Sequence, residues 1–237
     1  MRQVHRVRLE DLLFIDAQKT QLVRNTRQFL AGRPANNALL WGARGTGKSS
    51  LIKGLFNHFR PDGLRLIQVE RADLVDLPEI VDQIRERDEK FLLFCDDLAF
   101  EADDSSFKAL KSVLEGSIFE PPENLLIYAS SNRRHLLPEY AAENRDTRIE
   151  DGEIHYGETV EEKISLSDRF GIWLAFHPFS QAQYLTAVFH WLERLGCPSP
   201  NREALQGEAL QWALRRGSRS GRTAWQFARD WAGRHCA

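Results

Sequence analysis

Two textures of apolar residue alternate through the first three quarters of the chain. Short stretches at residues 37–41, 64–69, 91–95, 125–129 and 172–176 are dominated by apolar side chains; Phe91-Leu92-Leu93-Phe94-Cys95 contains nothing else. Runs of that kind mark strands buried on both faces of a parallel sheet, since a half-wet strand alternates instead. Between them the apolar residues recur three and four apart. Leu22, Val23, Phe29 and Leu30 predict a helix over 17–31, stopped by Gly32 and Pro34. Leu51, Ile52, Leu55, Phe56 and Phe59 predict a second helix starting near Lys48. Leu77, Ile80, Val81 and Ile84 predict a third over 74–87, and Phe107, Leu110, Val113, Leu114 and Ile118 a fourth over 105–118. Pro61-Asp62-Gly63 reads as a turn before the second strand. Strands alternating with helices predict an α/β fold with a five-stranded parallel sheet flanked by helices.

After Pro178 the pattern turns purely helical. Ser180 and Gln183 have capping-box spacing, and the helix they open carries Tyr184, Leu185, Val188, Leu192 and Leu195. A second helix from about Asn201 carries Leu205, Ala209 and Trp212, and a third after Gly217–Gly221 carries Ala224, Phe227, Ala228 and Trp231. The expected domains are therefore an α/β unit over 1–178 and a small all-α unit over 179–237. Residues 139–162 are acidic and aperiodic, which reads as a long surface loop or a partly ordered insertion.

Composition narrows the function classes. The 237 residues are enough for a sizeable core, and no apolar run reaches the roughly 20 residues of a membrane span. Met1–Arg8 is basic without an apolar stretch behind it, so it is not a secretory signal. Cys95, Cys197 and Cys236 show neither paired nor metal-ligand spacing, an expectation that suits a reducing cytoplasm. His135, His155 and His177 likewise have no ligand spacing. A net charge of −2 gives no global attraction to nucleic acid, while Arg215, Arg216, Arg219 and Arg222 form a local basic cluster. That cluster reads either as a solvated helix end or as a phosphate-backbone contact. Trp173, Trp191, Trp212, Trp225 and Trp231 have core-compatible spacing and carry no assigned ligand.

The chemistry starts at Gly42-Ala43-Arg44-Gly45-Thr46-Gly47-Lys48-Ser49-Ser50, which fits the phosphate-loop pattern between a predicted strand and a predicted helix. Glycines let backbone N–H groups turn inward, and the helix N-terminus adds partial positive charge for phosphate oxygens. Lys48 is expected to reach the β- and γ-phosphates of a nucleoside triphosphate, and Ser49 to ligate Mg2+. Asp96 and Asp97 end the third strand; Asp96 is expected to hold the metal opposite Ser49, and Asp97 to polarise an attacking water.

In this order the motifs resemble those of AAA+ ATPases, over nearly the whole chain. The resemblance implies an ATP- and Mg2+-binding P-loop fold with a C-terminal helical lid, acting as an oligomer that forms with ATP. It also implies a polar sensor at Asn132 and an arginine finger at Arg169, within Leu166-Ser167-Asp168-Arg169-Phe170-Gly171, directed at a neighbouring subunit. A lid arginine is implied at Arg222, with Arg219 as the alternative. The run Ser131-Asn132-Arg133-Arg134-His135-Leu136 is similar to one in bacterial replication initiators and helicase loaders. Several blocks, from Pro34-Ala35-Asn36-Asn37 to Ser165–Gly171, are similar to a bacterial family of uncharacterised AAA+ ATP-binding proteins, whose members tend to carry more sequence before this start. One departure is Asp96-Asp97 where the superfamily usually has Asp-Glu. A carboxylate one methylene shorter predicts slow hydrolysis, or a contribution from Glu101. Two readings remain: an ATPase remodelling an unknown protein or nucleic-acid partner, and a nucleotide-dependent switch or loader with little hydrolysis of its own. A small-molecule kinase is disfavoured, because the chain has a sensor asparagine and helical lid instead of an arginine-rich cover over an acceptor.

Overall fold

The computed structural model describes residues 7–100, 105–115, 121–132, 148–150, 153–155, 166, 168–197 and 202–236. Its centre is a five-stranded parallel sheet in the order β2 (Arg65–Val69), β3 (Phe91–Cys95), β4 (Leu125–Ser131), β1 (Ala38–Gly42), β7 (Ile172–Phe176). The continuous apolar runs are explained by which way successive side chains point. Ala38, Leu40, Leu92, Phe94, Leu126, Tyr128, Ile172, Leu174 and Phe176 face one cluster, which also takes in α1 (Asp16–Leu30) and α2 (Lys48–Phe59). The intervening Leu39, Leu93, Cys95, Ile127 and Ala129 face the opposite cluster, with α3 (Leu77–Ile84) and α4 (Ser105–Glu115). Both faces are dry, so no polar position survives along β3.

A buried polar knot ties α1 to the sheet. Asn25 Nδ2 donates to Tyr128 Oη at 2.9 Å and to Asn36 O at 2.8 Å, while Thr26 Oγ1 lies 2.9 Å from the same phenol. Asn37 Oδ1 accepts from Ile127 N, and Ile172 N donates to Asn37 O. The Pro34–Asn37 block thus joins β1 to both of its neighbours, which is a structural role.

Three details depart from the sequence expectation. Residues 71–76 form a 3-10 segment, and α3 begins only at Leu77, where Pro78 suits the first turn because its missing N–H is an orphan there anyway. Within the acidic stretch, β5 (Arg148–Glu150) and β6 (Glu153–His155) pair as an antiparallel ribbon, which departs from the plain loop and fits the partly ordered insertion. Cys197 and Cys236, which showed no paired spacing, form a disulfide with a Cα–Cα distance of 5.8 Å across 39 residues. Cys95 stays free and buried, and burial pushes its thiol up to about 12.

The C-terminal helices α5 (Gln181–Arg194), α6 (Arg202–Arg216) and α7 (Gly221–His235) enclose a third cluster around Tyr184, Val188, Leu205, Ala209, Phe227 and Trp231. Ser180 caps α5: its Oγ accepts from Gln183 N and the Gln183 side chain accepts from Ser180 N, as the spacing predicted. No helix among the described residues is long and apolar enough to cross a membrane.

Candidate functional site

Parallel register sets the site. With Trp41 opposite Ser131 and Cys95 opposite Ala129, the residues leaving β1, β3 and β4 emerge side by side at one end of the sheet. Gly42 ends β1 with φ 134°, and a Cβ there would lie 2.0 Å from Phe176 O on the neighbouring strand. Only glycine fits. Gly45 and Gly47 also take positive φ, of 79° and 106°, which curls the loop before α2 starts at Lys48. Thr46 Oγ1 donates to Ala43 O at 2.7 Å and steadies the curl. Ser49 and Ser50 occupy the first turn of α2.

Lys48 is buried, and its ammonium donates to Gly42 O at 2.7 Å, Ala43 O at 2.9 Å and Asn132 Oδ1 at 3.0 Å. Burial pulls its pKa below the ordinary lysine value, Asp97 and Asp96 oppose that pull, and Arg222 and Arg44 add to it. Ser49 Oγ donates to Asp96 Oδ1 at 2.7 Å. Two hard oxygen donors together suit Mg2+, which keeps several waters and shares phosphate oxygens. Among the described residues no group of three or more His, Cys, Asp or Glu forms a metal cluster, so any ion here relies on that pair.

Asp97 is half exposed and sits at φ 55°, an uncommon conformation for a residue with a side chain. Ser130 holds the turn: its Oγ accepts from Asp97 N at 3.1 Å and donates to Asp96 Oδ1 at 2.6 Å, and its carbonyl accepts from Leu98 N at 2.7 Å. Asn132 Nδ2 donates to Asp97 Oδ1, so one amide links Lys48 to the second carboxylate. Arg44 approaches Asp97 at 3.7 Å from the exposed rim. A cleft of about 590 Å³ opens here, lined by Arg44, Gln68, Arg71, Asp96, Asp97 and Asn132 among others.

Sequence reading missed Ser130, because its role follows from register across two strands. Ser130→Ala strips a partner from the partly buried Asp97 N–H and from the Asp96 carboxylate. The expected cost is about 1–3 kcal/mol, a melting temperature lower by roughly 2–12 °C. Calorimetry checks this, and a variant melting with the parent contradicts the assignment.

The helical unit meets the loop directly. Arg222 N donates to Gly45 O at 3.3 Å, and a Cβ on Gly45 would lie 2.7 Å from Ser220 Oγ. Arg219 carries its carbonyl to Phe179 N, at the base of α5. The N-terminal segment crosses both units: Ile15 reaches toward Gly47, Phe14 stacks edge-on to Phe179 with centroids 5.4 Å apart, and Leu13 packs on the helical cluster. Asp11, largely buried, pairs with Arg194 at 3.1 Å and contacts His190 at 3.2 Å. Arg169 stands apart from this assembly; its guanidinium donates twice to Glu115 at the end of α4, at 2.9 and 3.2 Å. Glu101 and the run after Asn132 lie outside the described residues.

A central parallel sheet, a phosphate loop leaving its β1 strand, acids leaving β3 on the far side of β4 and three helices beyond define a P-loop NTPase fold of the AAA+ kind. The chain belongs to the family described as "Protein of unknown function (DUF815)", which it matches over residues 1–235. Its fold is similar to that of a Thermotoga maritima RuvB mutant, with TM-score 0.62 and 15% identity over 96% of this chain and 66% of that one. It is similar also to the Aeropyrum pernix Orc1 protein in complex with DNA, with TM-score 0.64 and 13% identity over 94% of this chain and 61% of that one. A DNA replication initiation factor matches with TM-score 0.58 and 14% identity over 96% of this chain and 64% of that one. The chain therefore spans less than two thirds of the length of these three proteins. No curated protein matches it in sequence.

Proposed function

We propose that the protein is an Mg-ATP-dependent AAA+ ATPase that works at subunit interfaces to remodel a protein or nucleic-acid partner. In this reading residues 1–178 bind nucleotide, 179–237 are the lid, and ATP promotes assembly of a homo-oligomer. The observation that carries it is the Ser49–Asp96 hydrogen bond at 2.7 Å beside the Lys48 ammonium, which joins the phosphate loop to the β3 acid. On binding, Lys48 exchanges Gly42 O and Ala43 O for β- and γ-phosphate oxygens, and the loop amides take the rest. Ser49 and Asp96 would hold a magnesium ion, which would supply charge neutralisation at the terminal phosphoryl group. Asp97, positioned by Asn132, accepts the proton of the attacking water. In this reading the adenine ring lies near Phe14, Ile15 and Phe179, and Arg222 touches the loop through its backbone N–H.

Lys48→Ala is the direct test. It removes the only loop cation that lies inside the curl among the described residues, and ATP binding by calorimetry is expected to weaken at least a hundredfold. Retained affinity would sink the reading.

A second reading, a nucleotide-dependent switch or loader with little hydrolysis of its own, is favoured by the short Asp97 side chain and by Arg169 pairing with Glu115. Phosphate release measured with and without single-stranded DNA separates the two: brisk turnover by the protein alone argues against a pure switch.

A further inference from the structure

The lid region has a charge of its own. From residue 179 onward the chain has eight arginines, no lysine and four acids, a net charge of +4. The preceding residues carry 24 basic against 30 acidic groups, so the overall −2 conceals a basic lid on an acidic body. A polyanion is thereby repelled by one part and drawn to the other. Cations in this region are all guanidinium groups, which fork onto phosphates and stack on ring faces as ammonium groups do not.

The aromatic residues between α5 and α7 complete the pattern. Trp225 on α7 and Trp191 on α5 are both half-buried, with ring centroids 4.6 Å apart and planes 59° from parallel. His190 continues the ladder at 5.2 Å from Trp191. At the other end the exposed Arg229 guanidinium lies 5.8 Å from the Trp225 ring. Arg222, Trp225, Gln226 and Arg229 sit at helical i, i+3, i+4, i+7 spacing, so they share one stripe of α7, and that stripe contains no acid. Asp230 lies off it and is engaged by Arg234 at 2.9 Å. A core role explains Trp231, which is 7% exposed although the Arg234 guanidinium lies 5.5 Å from its ring, but it does not explain Trp225, which is only half-buried.

We propose that the α5–α7 face of the lid, built on Trp225, Trp191 and Arg229, binds single-stranded nucleic acid by stacking bases on the indoles and pairing the backbone with the arginines. Trp225 exchanges the Arg229 guanidinium for a base, a stronger stacking partner, while Arg229 turns to a phosphate. Duplex DNA keeps its bases stacked inside and cannot make the first of these contacts. Because Arg222 N also bonds to Gly45 O, the same helix touches strand and phosphate loop, which gives nucleotide state a route to strand affinity. The inference concerns a surface outside the nucleotide site and does not depend on hydrolysis.

The test is fluorescence anisotropy of a labelled 20-nucleotide oligothymidylate with the full chain, without nucleotide, between 50 and 200 mM salt. Binding that weakens as salt rises is expected. Trp225→Ala should weaken it about tenfold or more, Trp225→Phe should retain most of it, and Arg229→Gln should flatten the salt slope by about one. Arg229→Gln is exposed and guards against a folding defect in the alanine variant. No binding by the parent, equal binding of a duplex of the same length, or Trp225→Ala and Arg229→Gln both binding like the parent would overturn the proposal. The last result together with pull-down of a defined protein partner through Trp225 would make this a protein-docking face instead. Loss of ATP binding in Lys48→Ala leaves this experiment unaffected, so the two readings fail separately.

Discussion

Arg169→Ala is expected to bind ATP as tightly as the parent chain and, within the proposed assembly, to hydrolyse it about a thousandfold more slowly. The reason is positional. Within its own chain the Arg169 guanidinium is bound to Glu115 on α4, and the hydrogen bonds of Lys48, Asp96 and Asp97 connect to one another without it. An arginine that serves the chemistry from there has to serve a neighbour's site, and one supplied that way is worth about 10³–10⁵ in turnover. Phosphate release as a function of protein concentration reads the effect. Mixing supplies the sharper version: on the proposed reading Lys48→Ala subunits lose ATP and Arg169→Ala subunits fail to complete a neighbour's site, yet a mixture would contain interfaces with one good half from each. Recovered turnover in the mixture is expected. Its absence, or unchanged turnover in Arg169→Ala alone, would remove Arg169 from the mechanism.

Gly42→Ala should be the most damaging conservative change in the phosphate loop. The added methyl meets Phe176 O at 2.0 Å, with Phe176 C and N at 2.9 and 3.0 Å, and all three are backbone atoms of a paired strand that cannot step aside. The φ of 134° is also one that alanine adopts only under strain. Overpacking and backbone strain together cost roughly 4 kcal/mol or more, lowering the melting temperature by about 8–16 °C. Gly207→Ala is the contrast: it lies inside α6 with nothing within 4 Å of the new methyl, and is expected to stabilise by about 0.5–1 kcal/mol. Melting curves that rank the two in the opposite order would contradict the packing described.

What could be read in advance follows from what is local. Phe91–Cys95 and Ile172–Phe176 have the predicted bounds because a strand dry on both faces advertises itself residue by residue. The phosphate loop was legible for the same reason: its glycines, Lys48 and Ser49 are contiguous, and the chain direction forces strand, turn and helix to follow one another. β4 runs two residues beyond its apolar stretch because Ser130 and Ser131 stay in the ladder as buried hydroxyls with partners on the 96–98 turn. Composition does not encode such a partnership. The Glu115 contact of Arg169, the Asp11 contacts with α5, and the Cys197–Cys236 bond each join elements far apart in sequence. Periodicity carries no information about which elements meet. The ribbon at 148–155 escaped because three residues per strand are too few for alternation to stand out from an acidic background.

The segment from Leu9 to Ile15 has a mechanical consequence for the C-terminal helical unit. Apart from the Arg222 N–Gly45 O bond at the phosphate loop, the described residues join the helical unit to the rest of the chain at two places: covalently, through the chain that leaves β7 and enters α5, and non-covalently, where Asp11 grips Arg194 and His190 and Phe14 meets Phe179. A body held at one point swings in any direction; a body held at two turns about the line between them. Once the Arg222 N–Gly45 O bond opens, movement of the helical unit is therefore expected to follow one rotation for as long as Asp11 holds, and a wider opening must either break that grip or carry the strap away from Gly47 and the loop it leans on.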